Sequence, residues 1–209
     1  RELSNLFQGL CLAKSECLTQ KIDILKLWLH ESRRVFSDRM LPSDASKFET
    51  ILKKIATPLF SSEEECETTM ASPVVFVPFL KKIENAEKAY TLAPEGDELK
   101  NFLDDKLAEY NQEHAVMNLE LFQEAIEHIC RICRILFNPR GNALLVGVGG
   151  SGKQSLSRLA SFICEFETFQ ITTSSNYGIN DFKESLVSMY TSTGLKNREI
   201  TFVITDSQI

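Results

Sequence analysis

No uninterrupted apolar run in this 209-residue chain is long enough to span a bilayer, and its start carries no signal-peptide pattern. A basic stripe is missing too: 23 Lys and Arg stand against 29 Asp and Glu, for a formal charge of -6. That balance removes the electrostatic footprint of a nucleic-acid binder, so neither nucleic acid nor a membrane is an expected partner. The six cysteines are too few and too scattered for the disulfide framework of a small secreted domain. Reduced thiols packing as small hydrophobes fit them better. Cys130 and Cys133 stand at C-x-x-C spacing near His128, but no second ligand pair lies where a four-coordinate zinc site needs one. No metal site of the protein's own is expected. The first residue is Arg1 and not Met, as in a segment of something longer.

What is present is ordinary soluble composition, 43% hydrophobic and 25% charged, enough for one or two cores. Residues 1–60 predict a helical unit: Leu3, Leu6, Phe7 and Leu10 share one helix face, Ile24, Leu25, Trp28, Leu29 and Val35 a second, and Phe48, Ile51, Leu52 and Ile55 a third. Ser43 is a plausible N-cap for that last helix. From Ser61 to Ser72 the chain is acidic and aperiodic and reads as an exposed connection. Val74–Val77, between Pro73 and Pro78, is too short and Pro-flanked for a central strand. A helix is expected from about Gly96 to Tyr110. A long one follows, with Leu119, Phe122, Ile126, Ile129, Cys133 and Leu136 on its apolar face and a stop at Asn138-Pro139-Arg140-Gly141. Ala143–Val146 has the all-apolar texture of a buried parallel strand. Further strands near Phe169–Thr172 and Ile200–Ile204, separated by helices, imply an α/β domain with a parallel sheet.

Between the first of these strands and its helix runs Gly147-Val148-Gly149-Gly150-Ser151-Gly152-Lys153-Gln154-Ser155, which satisfies G-x-x-x-x-G-K of the Walker A motif. Glycines let the backbone curl so that successive N–H groups face phosphate oxygens. The following helix adds its N-terminal partial positive charge, and Lys153 is suited to the β- and γ-phosphates. A glycine cluster alone could be a packing loop; strand, loop, lysine and helix in this order predict nucleotide binding. The motif departs where Mg²⁺ is ligated, because Gln154 stands where a Ser or Thr hydroxyl belongs. Ser155 comes one residue late, turned by about 100° on a helix. Phe202-Val203-Ile204-Thr205-Asp206 fits a Walker B strand end. In one register Thr205 takes the metal-organising position and Asp206 that of the water-activating Glu. In the next, Asp206 organises the metal and Ser207 falls in the base position. Neither register supplies an Asp-Glu pair.

On wording as well as spacing, the chain resembles axonemal dynein heavy chains. Tyr110-Asn111, Met117-Asn118-Leu119, His128-Ile129-Cys130-Arg131-Ile132, Pro139 through Leu145 into the Gly147 loop, and Thr205-Asp206-Ser207-Gln208-Ile209 are similar to the entry of the fourth AAA+ module of these motors. Some of these details look most like the outer-arm type. His30-Glu31-Ser32, Arg34-Val35-Phe36 and Asp38-Arg39 are similar to the lid of the preceding module, and Arg1-Glu2-Leu3 to its sensor-II segment, which makes Arg1 the arginine that would reach that module's nucleotide. Without the resemblance, the His30 to Arg39 run reads as an ion-pair lattice.

The resemblance implies an all-α AAA+ lid over residues 1–60, a connector over 61–109, and over 110–209 the first part of the next P-loop NTPase large subdomain, with a partial parallel sheet. Its implied ligand is ATP or ADP, with Mg²⁺ accompanying the nucleotide, held by Gly147, Gly149, Gly150, Ser151, Gly152, Lys153, Gln154, Ser155 and Thr205, with Asp206 as a degenerate catalytic residue. The adenine would lie near Val116 to Leu119. Implied partners are the remaining modules of the same heavy chain, microtubules through the whole motor, and dynein intermediate and light chains, in the axoneme of a cilium or flagellum. The alternatives are an active P-loop ATPase or kinase that tolerates Gln154, and an AAA+ spacer that binds no nucleotide. The family strand order 5-1-4-3-2 would seat a further strand between Ala143–Val146 and Ile200–Ile204, so the 209 residues alone are expected not to fold as a stable monomer.

Overall fold

A computed structural model describes the chain except residues 72–73, 84–86, 95–96, 174–175, 206–207 and 209, and the side chains of 81–88. The backbone divides into two compact units, Arg1–Pro94 and Glu95–Ile209.

In the first unit, helices α1 (Glu2–Leu10), α2 (Lys21–Val35), α3 (Pro42–Ala56) and α4 (Glu63–Ala71) precede an antiparallel hairpin of β1 (Phe76–Ile83) and β2 (Glu87–Leu92). The core forms where Leu25 and Leu29 of α2 meet Ala56, Phe60 and Cys66, with Ile22, Trp28 and Met70 packed against them. The apolar stripes expected from sequence are only partly buried. Leu6, Leu25, Leu29, Val35 and Leu52 are inside, while Leu3, Phe7, Ile24, Ile51 and Ile55 face outward. Ser43 is not the cap of α3. Leu41 occupies that position without a side-chain bond, and Pro42 takes the first helical residue, where its fixed φ is already helical and its missing N–H is not needed.

The acidic stretch expected to be an exposed connection contains α4. Ser62 Oγ accepts from the Glu65 N–H at 3.1 Å, and Glu65 Oε2 accepts from the Ser61 N–H at 2.8 Å. The Ser62 cap and the Glu65 bond to Ser61, with three glutamates in the first turn, start the helix, and Cys66 anchors it in the core. Of the Pro-flanked run, Phe76 and Val77 open β1, which runs through the buried Pro78 where the register with β2 shifts between Val77 and Lys81. A proline is tolerated there because a bulge removes the need for its N–H.

The second unit contains α5 (Glu98–Glu113), α6 (Gln123–Phe137), α7 (Lys153–Ile163), β3 (Glu167–Gln170), α8 (Ile179–Gly194) and β4 (Ile200–Val203). Helix α6 starts at Gln123, with Phe122 as an exposed N-cap, so Leu119 lies ahead of the helix and not on its face. Ile126, Ile129 and Cys133 of α6 are buried, as are Leu156, Leu159 and Ala160 of α7, the helix packed against it. The turn after α6 requires glycine at 141, where a Cβ would collide with the Ile135 carbonyl. Strands β3 and β4 pair in parallel, Glu167 opposite Ile200 through Gln170 opposite Val203, with the Phe169 and Phe202 rings 5.6 Å apart.

Ala143–Val146 is not a buried strand. It has no ladder partner among the described residues, and Leu144 and Val146 are 91% and 86% exposed. An all-apolar strand needs backbone partners and cover on both faces, and no described strand pairs with it.

Candidate functional site

The Gly147–Ser155 segment is built from the helix outward. Gly152, in the left-handed region at φ 76°, is the N-cap of α7 and its carbonyl accepts from the Leu156 N–H at 2.8 Å. The first N–H groups of a helix therefore point into the loop, where they have no helical acceptor. Gly150 is also left-handed, at φ 78°, so two of the glycines hold a conformation that side chains resist. A Cβ at Gly149 or Gly150 would meet nothing within 4 Å, and one at Gly147 would touch Ser151 Oγ at 3.2 Å. The loop's open side thus presents bare backbone, accessible to an anion.

Lys153 folds back over this loop. Its Nζ donates to Gly147 O at 2.8 Å, Val148 O at 2.7 Å and Ser151 Oγ at 3.1 Å. These three bonds hold the ammonium against the loop's own carbonyls and hydroxyl. Gln154 is exposed and Ser155 half-buried on the first turn of α7. Ser157, a turn further on, bonds the Lys153 carbonyl at 2.8 Å and so turns its hydroxyl away from the loop.

Sequence spacing did not reveal how residues 111–119 are held. Asn111 clasps Met117 from both sides, accepting from its N–H at 2.7 Å and donating to its carbonyl at 3.3 Å. This fixes the segment so that Leu119 Cδ1 lies 3.8 Å from the point where a Gly152 Cβ would stand. An apolar side chain therefore sits beside the phosphate loop, within the stretch expected to face adenine.

Thr205 is half-buried and its N–H donates to Gln208 Oε1 at 3.0 Å, while the Gln208 amide bonds the Ile171 carbonyl. Asp206 and Ser207 lie outside the described residues. Arg1 is an exposed N-cap of α1. A cavity of about 830 Å³ lies elsewhere in this unit, lined by Tyr110, His114, Arg158, Phe162 and Gln170 among others; none of the loop glycines nor Lys153 borders it. The motif chemistry, and not this cavity, locates the candidate site.

The cysteines of α6 are packing groups. Cys133 Sγ lies 3.7 Å from the Ala160 carbonyl, and Cys164 Sγ 3.8 Å from the Cys133 carbonyl. Burial pushes the Cys130 thiol up to about 12 and holds Cys133 well above the usual thiol range, so both stay protonated and poor as ligands or nucleophiles.

Comparison with known proteins adds the following. Residues 117–209 match the family described as the P-loop containing dynein motor region D4, and residues 1–69 match an AAA+ lid domain. The whole chain is 46% identical to the dynein beta chain of the flagellar outer arm of Chlamydomonas reinhardtii. It is 45% identical to dynein axonemal heavy chain 17 of Homo sapiens and 42% to dynein axonemal heavy chain 11 of Sus scrofa. It spans about 5% of the length of each of these relatives.

Proposed function

The chain belongs to the axonemal dynein heavy chains, and from that premise we propose that it is a motor-ring segment whose own nucleotide site regulates and does not drive. Residues 1–60 act as the lid of one AAA+ module, 61–109 as a connector, and 110–209 as the opening of the next module. Gly147, Gly149, Gly150, Ser151, Gly152 and Lys153 hold the phosphates of ATP or ADP, with Gln154, Ser155 and Thr205 beside them. Asp206 is the one carboxylate of the degenerate Walker B end. Arg1 serves the preceding module's nucleotide. The observation that carries the reading is the Lys153 ammonium centred over a backbone cradle that begins at the N-terminus of α7.

Bound nucleotide would bring its Mg²⁺ and a transferable γ-phosphoryl group. The residues present fit the phosphates better than the metal, because the cradle is open while Gln154 replaces the usual hydroxyl. The chain's own work is then to bind and orient the phosphates and to pass the module's state to its neighbours. The parent motor works on microtubules in the axoneme of a cilium or flagellum, together with intermediate and light chains.

Replacing Lys153 with Ala in the whole motor tests the reading. Losing one charge-assisted phosphate contact costs about 1.5–3 kcal/mol, roughly ten- to a hundredfold in affinity. Unchanged nucleotide affinity at this module would overturn a phosphate role. The three bonds Lys153 makes within its own loop favour one second reading, an AAA+ spacer whose lysine only braces the loop. In that case the purified ring carries no nucleotide at this module before or after the substitution.

A further inference from the structure

Strand β3 has one edge inside its sheet and one outside. The Glu167 N–H donates to the Glu199 carbonyl at 2.9 Å, and residues 167–170 run parallel to 200–203. In a parallel ladder every second residue bonds the neighbouring strand, and the residues between turn their N–H and C=O groups the other way. Glu167 and Phe169 therefore serve β4, while Thr168 and Gln170 present their main-chain groups to the outer edge. No described strand pairs with that edge. Neither lysine nor proline stands in β3 to blunt it.

The cavity of about 830 Å³ opens along this strand, with Thr168 and Gln170 in its lining. Three rings supply an apolar wall: Tyr110 lies 4.6 Å from His114 and 5.4 Å from Phe162, centroid to centroid. Half-buried Arg158 of α7 also borders the cavity and donates to the Gln170 side-chain carbonyl. That partner is neutral, and no described carboxylate stands within ion-pair distance of Arg158. The one carboxylate in the lining, Glu167, is drawn to Arg198 at 3.2 Å. Open backbone groups, an aromatic wall and an unanswered cation thus lie side by side in one unit. A small anion would answer Arg158 and leave the strand edge bare, whereas an extended polypeptide answers both.

We propose that the outer edge of β3 is a strand-addition site for an extended segment of a partner polypeptide, with an acidic side chain of that segment seated on Arg158. The added strand bonds the main chain of Thr168 and Gln170, which gives affinity with little regard to sequence. Its side chains alternate between the two faces of the sheet. Helix α7 covers the face that bears Thr201, where Ser161 Oγ donates to the Thr201 hydroxyl at 2.9 Å, and Thr168 is the ladder partner of Thr201. Side chains of the added strand on that same face enter the cavity, where the Tyr110, His114 and Phe162 rings meet apolar ones and Arg158 selects an acid. The loop glycines and Lys153 border none of this surface, so it acts apart from the nucleotide site.

The test uses the full-length heavy chain and two synthetic peptides of alternating threonine and valine, one with a central aspartate and one with asparagine in its place. Binding is read by fluorescence anisotropy, and hydrogen–deuterium exchange follows the Thr168 and Gln170 amides. The aspartate peptide is expected to bind roughly tenfold more tightly, the worth of one charge-assisted bond, and to slow exchange of both amides. Arg158→Gln should erase that preference and leave the weaker binding in place. Thr168→Pro removes an outward N–H that β4 does not use, so it should abolish binding of both peptides while the β3–β4 amides stay protected. If Thr168→Pro does not fold, the Arg158→Gln comparison decides alone. Absence of binding, or an aspartate preference that survives Arg158→Gln, would overturn the proposal. So would protection of Thr168 and Gln170 without peptide: constant protection would mean that the heavy chain itself covers the edge, and protection rising with motor concentration that a second copy does.

Discussion

At the scale of single residues, the phosphate loop separates two duties that glycine performs. Gly152 and Gly150 are left-handed, so a Cβ there is strained whatever space surrounds it. Gly152→Ala should destabilise the loop by about 1–2 kcal/mol, the cost of a left-handed non-glycine residue, seen as faster exchange of the first-turn amides of α7. Gly149 has no such backbone demand and open space around it. Gly149→Ala should therefore leave exchange unchanged, yet lower nucleotide affinity if phosphates approach that backbone. Loss of affinity with intact exchange would separate binding from folding; no change in either would remove Gly149 from the site. Core residues obey a different rule. Leu29 is fully buried between α3 and α4, and Leu29→Ala should cost about 2–5 kcal/mol by transfer and cavity terms together, read as a lowered unfolding midpoint of this unit.

Elements were legible in the sequence where their signal is local and periodic. The 3.6-residue stripes of α2 and α6 predict both their existence and a buried face, and glycine with lysine at motif spacing predicts the turn into α7. Helix α4 was not legible from periodicity, because its nine residues bury only Cys66 and Thr69; its Ser62–Glu65 cap was the available signal. Ser62→Ala should loosen α4 by about 0.5–2 kcal/mol, measured as exchange in residues 63–71; an unchanged rate would place the start of this helix on its core anchor alone. The hairpin was missed for a non-local reason, since β1 is stabilised by residues of β2 and by the His30 ring of α2 against Phe76. Ala143–Val146 fails in the opposite sense. Its composition fits a buried strand, but a strand exists only with neighbours, which composition does not provide. At the site, the loop and Lys153 could be read from spacing, whereas the Asn111 clasp and the approach of Leu119 depend on side-chain geometry.

On the scale of the whole molecule, much apolar surface faces outward in the second unit: Leu144, Val146 and Val148 before α7, and Ile179, Val187, Tyr190 and Leu195 on and after α8. Contiguous apolar surface and unpaired strand edges favour self-association. The 209 residues alone should sediment as concentration-dependent oligomers without a sharp thermal transition. A soluble monomer with one cooperative transition would contradict this. Within the intact ring the decisive property is turnover. Phosphoryl transfer relies on positioning and on Mg²⁺ neutralising charge between the β- and γ-phosphates. Gln154 brings an amide where a compact hydroxyl ligates the metal, and in one register Thr205 brings a hydroxyl where a carboxylate orders the metal's waters. Asp206, in the same register, is one methylene shorter than the usual base. All three changes fall on the same step, whereas binding uses the backbone cradle and Lys153, which they leave intact. Occupancy and hydrolysis should therefore separate at this module. In a motor whose first and third modules are disabled at their own Walker motifs, nucleotide should remain here with no measurable turnover. Residual ATPase on the order of 1 s⁻¹ or more, near the low end of ordinary enzyme rates, that disappears with Lys153→Ala would show that this module hydrolyses nucleotide despite Gln154.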